Sequence, residues 1–279
     1  MAGTLLHITL AQRALDVADV PSRFETELRN HIHDFRLGAV LVDLPYHDRL
    51  WLSGVRLFLG LSLQCPVWGT LLHTRSPAGL ARALLDRALD GPGRALAVGF
   101  LTHIAVDLVF HTEISRLVMT RADGSKSLDS EHKLIEDQID LHIHYDFLEH
   151  PGIGTPYTRR MLNLRPATSW APNVAAAIAE VHGNAPGTSK LERWQGELAL
   201  FGVSCSTKRV PWVKTLPKDD PDLQDTSLRL ADESVRLAAE YIEIGVAYLN
   251  GEVKKDAFIS AIPDRSLLDG GPAAPPRRG

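Results

Sequence analysis

The segment GFLTHIAVDLVFH places His103, Asp107 and His111 four residues apart. On a helix advancing about 100° per residue, these three side chains fall within about 80° of one another, on one face. Their neighbours Ile104, Val106, Leu108 and Val109 are apolar. A carboxylate set among them is costly unless it is paired or bound to a cation, and imidazole with carboxylate is a donor set that a metal ion accepts. His103 and His111 stand about 12 Å apart along the helix axis. That is too far to share one ion with bonds of about 2 Å, so two ions fit the spacing better than one, with Asp107 serving or bridging near the first. A second pair, His132 and Glu136 in SEHKLIEDQID, repeats the four-residue spacing. The short RADGSKS segment between the two stretches lets their helices run antiparallel, so that the pair can face His111 and complete a site of His, His and Glu.

Three further candidates lie upstream: His7 on the first amphipathic stretch, Asp43 in FRLGAVLVDLPY, and His73 at the end of WGTLLH. Taken singly, each also reads as a hydrogen-bonded core residue or, for the aspartate, a cap or turn former. The His33-Asp34 dipeptide is found in one class of metal-dependent hydrolases, but the additional spaced His and Asp of that class are lacking. Eleven of the 12 histidines precede residue 151, so any imidazole chemistry belongs to the first half of the chain. Tyr46, Trp51 and Trp68 lie near these candidates in sequence and read either as pocket walls or as core aromatics.

Apolar residues recur at spacings of three and four along most of the chain, and almost nowhere at two, so the elements that carry these residues are helices. The periodicity predicts an all-α, multi-helix bundle, with helices near 4–17, 22–34, 47–63, 77–90, 93–120, 129–147, 171–183, 189–205, 226–249 and 252–261. Ser22 with Glu25 and Ser189 with Glu192 have the spacing of a capping box, and Ser76 before Pro77 reads as a cap with proline at the first helical position. Residues 150–170 and 206–224 are rich in Pro, Gly and Thr and read as long loops where a substrate mouth could lie. No repeat or composition shift divides the chain. A single domain over 1–263 is expected, with 264–279, ending GGPAAPPRRG, as a disordered tail.

The chain has 279 residues, 44% of them hydrophobic and 23% charged. That suffices for a core without metals or disulfides and excludes an extended low-complexity protein. A net charge of −4 argues against a nucleic-acid surface, which needs a basic face. Cys65 and Cys205 are too far apart in sequence for a CxxC motif, which suits a reducing compartment. The first twenty residues lack the basic and unbroken apolar regions of a signal peptide. The apolar stretch 50–64 is interrupted by Arg56 and falls short of the roughly 20 residues that span a bilayer, leaving transient membrane-surface contact as its one membrane option. The expected location is cytoplasmic.

Order and type of residues over about 3–150 resemble the bacterial zinc-dependent phospholipase C family, whose fold is shared with fungal single-strand nucleases. The resemblance rests on GTLLHITLAQRAL, FRLGAVLVDLPY, WGTLLHTRSP, the helix with His103, Asp107 and His111, and SEHKLIED. It implies an all-helical bundle and a cluster of two or three zinc ions. The first ion would take Asp43, His73, His103 and Asp107; the second His111, His132 and Glu136; the third His7, sharing Asp107 as a bridge. Three features depart from the family pattern. The chain begins MAG where secreted members present a processed N-terminal Trp, Val42 stands where they have proline, and the helix ligands are spaced His-x3-Asp-x3-His rather than His-x3-Asp-x5-His. The implied activity is hydrolysis of a phosphate ester or phospholipid by metal-bound hydroxide, with Asp43 as general base. A non-catalytic helical protein with a structural metal, and a nuclease on the same scaffold, are the competing readings.

Overall fold

Residues 91–121 are apolar on nearly every face over Ala95–Val106, a pattern that only a helix surrounded by others can satisfy. In the computed structural model, which describes residues 3–48, 67–121, 156–205 and 221–274 and positions 132, 135, 136, 138, 139, 142 and 143, they form the 31-residue central helix. In chain order the helices are α1 (Gly3–Val17), α2 (Ser22–Asn30), α3 (Ile32–Gly38), a 3₁₀ helix (Leu41–His47), α4 (Val67–Thr74), α5 (Pro77–Asp86), α6 (Gly91–Arg121), α7 (Pro156–Leu162), α8 (Trp170–His182), α9 (Thr188–Cys205), α10 (Pro221–Leu249) and α11 (Lys255–Ala261). No strand occurs among the described residues. The fold is all-α, as the periodicity requires.

Helix α6 is the axis on which α10, α3, α5 and α1 pack. It is the one described helix long and apolar enough to span a bilayer, but 83% of its apolar window is buried in the bundle. Two core clusters divide it. Val98, Phe100, Leu101 and Ile104 pack with α3, α5, α8 and α10, whereas Val106, Phe110 and Ile114 pack with Leu6, Leu10, Ile135, Ile139 and Leu230. Asp107 sits where the two clusters meet, so its surroundings are set by both.

The approach of α3 to α6 is a contact of backbones. A Cβ on Gly99 would lie 2.0 Å from the Phe35 carbonyl oxygen, and one on Gly38 would lie 2.1 Å from that of Leu96. Only glycine permits this crossing. It delivers the chain that leaves α3, including Ala39 and the 3₁₀ helix, directly onto the buried face of α6.

Several expectations are corrected. The stretch 22–34 is broken at His31 (φ −110°, ψ 38°) into α2 and α3. Pro21 takes the position before α2, so Ser22 is its first residue and forms no cap bond. Ser76 adopts a left-handed conformation (φ 46°), and its hydroxyl makes no cap bond to α5. The Ala78 N–H instead donates to the distant Asp264 carboxylate at 3.2 Å. Ser189 lies inside α9, which starts at Thr188, and α10 starts at Pro221, ahead of the predicted 226. The 150–170 loop contains α7. Composition misjudged the segment from 264 to 274, which is anchored by the fully buried Leu267 and by main-chain bonds to α4. The predicted 47–63 helix and the 50–64 apolar stretch lie almost wholly outside the described residues. So do 206–220 and much of 129–147, although 132, 135, 136, 138, 139 and 142 are helical.

Candidate metal centre

Five elements converge on Asp107. Helix α1 brings His7, whose Nε2 lies 3.1 Å from Asp107 Oδ1. Helix α4 brings His73, with Nε2 at 3.3 Å from Asp43 Oδ1 and 3.7 Å from Asp107 Oδ2. The 3₁₀ helix supplies Asp43. Within α6, His103 Nε2 is 2.9 Å from Asp107 Oδ2 and His111 Nε2 is 3.4 Å from Oδ1. His111 stacks on His132 with ring centroids 5.5 Å apart. Glu136 lines one hollow with His7, Asp107 and His111, and its Oε1 would lie 3.4 Å from a Cβ on Gly3. His7, Asp43, His73, His103 and His111 therefore gather around Asp107, whereas His132 and Glu136 stand at the edge beside His111, and those three form no group of donors within 4.8 Å of one another among the described residues.

Two groups have donor atoms within 4.8 Å of one another: His7, His103 and Asp107, and Asp43, His73 and His103. Donors around a tetrahedral ion with bonds of about 2.0 Å stand about 3.3 Å apart. The imidazole–carboxylate separations of 2.9–3.7 Å bracket that spacing.

The outer atoms fix which ring nitrogens face inward. His103 Nδ1 lies 2.9 Å from the Ala39 carbonyl and His73 Nδ1 2.8 Å from that of Gly69. A carbonyl only accepts, so both Nδ1 atoms carry hydrogens and Nε2 is the atom each ring turns towards the carboxylates. This arrangement selects a ligating histidine. His103 Nε2 and Asp107 Oδ2 are both buried and neither is aligned for a hydrogen bond. A proton or a cation must lie with this pair, and buried imidazole nitrogens facing carboxylates are a donor set that fits zinc once the proton is displaced.

Electrostatics agree. Burial alone would push the His103 imidazole down, but the Asp107 charge, together with Asp43 and the Ala39 carbonyl, raises it to about 9. The His111 imidazole is raised against burial by Asp107 and Glu136. Burial opposes ionisation of Asp107, yet His103, His7 and His111 hold it well below the usual carboxylate range. Asp43 is likewise held low against burial by His103, by the hydrogen bond from His73 and by His7. Each carboxylate is therefore ionised, the form that binds metal.

Tyr46 meets the His73 ring edge-on at 5.5 Å, while Trp68 is partly buried against the main core and Trp51 lies outside the described residues. The His33-Asp34 pair plays no part in the centre. Asp34 accepts from the Ala167 N–H at 2.8 Å and borders a different hollow. The supporting carbonyls of Ala39 and Gly69 carry no side-chain signature. Their one sequence trace is the glycine before Ala39 and the glycine four residues before His103.

His47 is 1% exposed, and its Nε2 lies 3.4 Å from the Thr4 hydroxyl. Burial pushes its imidazole down to about 4 from 6.5. A histidine depressed in the folded state contributes full stability above the unfolded value and loses it as pH falls toward the folded one. The loss between pH 6.5 and 4 amounts to about 3 kcal/mol. Urea unfolding of the native chain and His47→Gln across this range is expected to show the steeper acid loss in the native chain. Parallel curves would contradict it.

A family model described as zinc dependent phospholipase C matches residues 6–159. No curated protein and no solved structure matches the chain.

Proposed function

The chain belongs to the zinc-dependent phospholipase C family, and from that premise we propose that it hydrolyses phosphate esters at a centre of two zinc ions, with His7 and the second face of Asp107 available to a third. The observation that carries this reading is the pair of histidines, His73 and His103, whose Nδ1 atoms are tied to carbonyls while their Nε2 atoms face Asp43 and Asp107. Asp43, His73, His103 and Asp107 would hold the first ion, and His111, His132 and Glu136 the second. Bound zinc supplies Lewis acidity, lowering the pKa of water and neutralising charge that develops on phosphoryl oxygens.

The rest belongs to the chain itself. Asp107 offers Oδ2 to His103 and His73, and Oδ1 to His7 and His111, so one carboxylate fixes the relative position of both halves of the site. The Asp43 side chain is 17% exposed, against 2% for Asp107. Of these two carboxylates it is the one open to an attacking water, and it takes that water's proton as the oxygen bonds to phosphorus. The phosphorus–alcohol bond breaks, and the alcohol leaves with a proton from solvent. Beside the polar groups, Leu6, Phe110, Ile114 and Ile139 form the apolar wall of a small, partly open hollow, against which an apolar part of the ester would lie.

Elemental analysis is expected to find two to three zinc equivalents per chain, with hydrolysis of nitrophenyl phosphocholine or a related ester. Full zinc occupancy with no hydrolysis across a broad panel of phosphate esters would overturn the proposal in favour of a structural metal. Digestion of single-stranded nucleic acid alone would move the substrate class. For Asp43→Asn, loss of the general base is expected to lower kcat by about 10²–10⁴-fold. An unchanged kcat in a zinc-loaded variant would remove Asp43 from that role.

A further inference from the structure

Beyond the matched region, residues 263–274 cross back over the metal centre. The Leu267 N–H donates to the His73 carbonyl at 2.7 Å and the Ala274 N–H to the Thr74 carbonyl at 2.9 Å. The last carbonyls of a helix have no partner within it, and a helix as short as α4 does not hold its shape unaided. Here the missing donors arrive at the very residue that presents His73 Nε2 to Asp43 and Asp107. The Leu267 side chain anchors the crossing, fully buried in the main core.

The same segment also reaches α6. It folds on itself through Ser266 N–H to the Gly271 carbonyl (2.8 Å) and Gly270 N–H to the Ser266 carbonyl (2.9 Å). The tip, Gly270, has φ +70°, and a Cβ there would lie 2.5 Å from Thr112 Oγ1. Glycine is required twice over, by the left-handed backbone and by contact with the residue following His111. One short segment thus joins the end of α4 to the turn of α6 that carries His111.

We propose that residues 263–274 are a positioning strap for the metal centre, in which Leu267 and Gly270 fix His73 relative to His111. This rests on the zinc reading above. A metal site tolerates little displacement of its donors, and loss of supporting groups typically lowers metal affinity by about 10–100-fold.

The test uses full-length chains: the native protein, Leu267→Ala, Gly270→Ala, and Gly270→Ala combined with Thr112→Ala. Zinc affinity is measured by chelator competition, the visible spectrum of the cobalt-substituted protein reports ligand geometry, and far-UV circular dichroism confirms folding. Leu267→Ala and Gly270→Ala are expected to weaken zinc binding about tenfold or more and to alter the cobalt spectrum. Removing the Thr112 hydroxyl should restore part of the affinity lost in Gly270→Ala. Folded single variants with native zinc affinity and native cobalt spectra, even if less heat-stable, would overturn the strap and leave the zinc reading intact. A native chain that binds no zinc would overturn the zinc reading itself.

Discussion

Asp107→Asn is expected to abolish zinc-dependent hydrolysis and to lower zinc affinity by more than about a hundredfold, beyond the usual cost of removing a supporting group. Four imidazoles approach this carboxylate, those of His7, His73, His103 and His111, at 2.9–3.7 Å. The substitution keeps the shape and removes the charge from both faces at once. It also removes what holds His103 near 9, leaving a buried imidazole that must shed its proton. Unpaired buried charge is destabilising, so the metal-free variant should lose more stability at pH 6, where imidazoles retain protons, than at pH 8. Metal analysis and chelator competition check the first expectation, and urea unfolding at the two pH values checks the second. A variant that keeps full zinc content and turnover would remove Asp107 from the centre.

Gly99→Ala is expected to cost about 3 kcal/mol or more, the upper end for overpacking a core. The added Cβ would meet the Phe35 carbonyl oxygen at 2.0 Å and its carbon at 2.8 Å. Backbone atoms cannot rotate aside, so α3 and α6 must part by about an ångström to restore ordinary contact. At roughly 2–4 °C per kcal/mol for chains of comparable size, Tm should fall by about 6–12 °C. Zinc binding should weaken with it, because Ala39, the next residue after Gly38, holds His103 Nδ1. Gly196→Ala is the contrasting change. It is exposed on α9, with no described residue within 4 Å of a new Cβ, and a gain of about 0.5–1 kcal/mol is expected. Equal melting temperatures for the two variants would refute the backbone crossing.

The helical architecture and much of the centre are legible from local spacing. A four-residue step puts His103, Asp107 and His111 on one face regardless of context, and α6 advertises its central place by being apolar all round. Capping was misread where a distant residue replaced the local one, as Asp264 does for Ser76 at α5. Composition misjudged 264–274 because one buried Leu267 and two main-chain bonds outweigh a run of Gly and Pro.

What the sequence determined alone is the set of candidate donors and which pairs share a helix, since those distances follow from the rise and turn of a helix. Only the tertiary structure decided how His7, Asp43 and His73 join them. That placement depends on two glycines letting backbones touch, on carbonyls of Ala39 and Gly69 orienting rings, and on a strap from the far end of the chain meeting the His73 carbonyl. Axial spacing separates His103 from His111, whereas the structure lets them serve one carboxylate, because its two oxygens face opposite ways. These are contacts between segments remote in sequence and made largely by main-chain atoms, which every residue possesses and no side-chain pattern reveals.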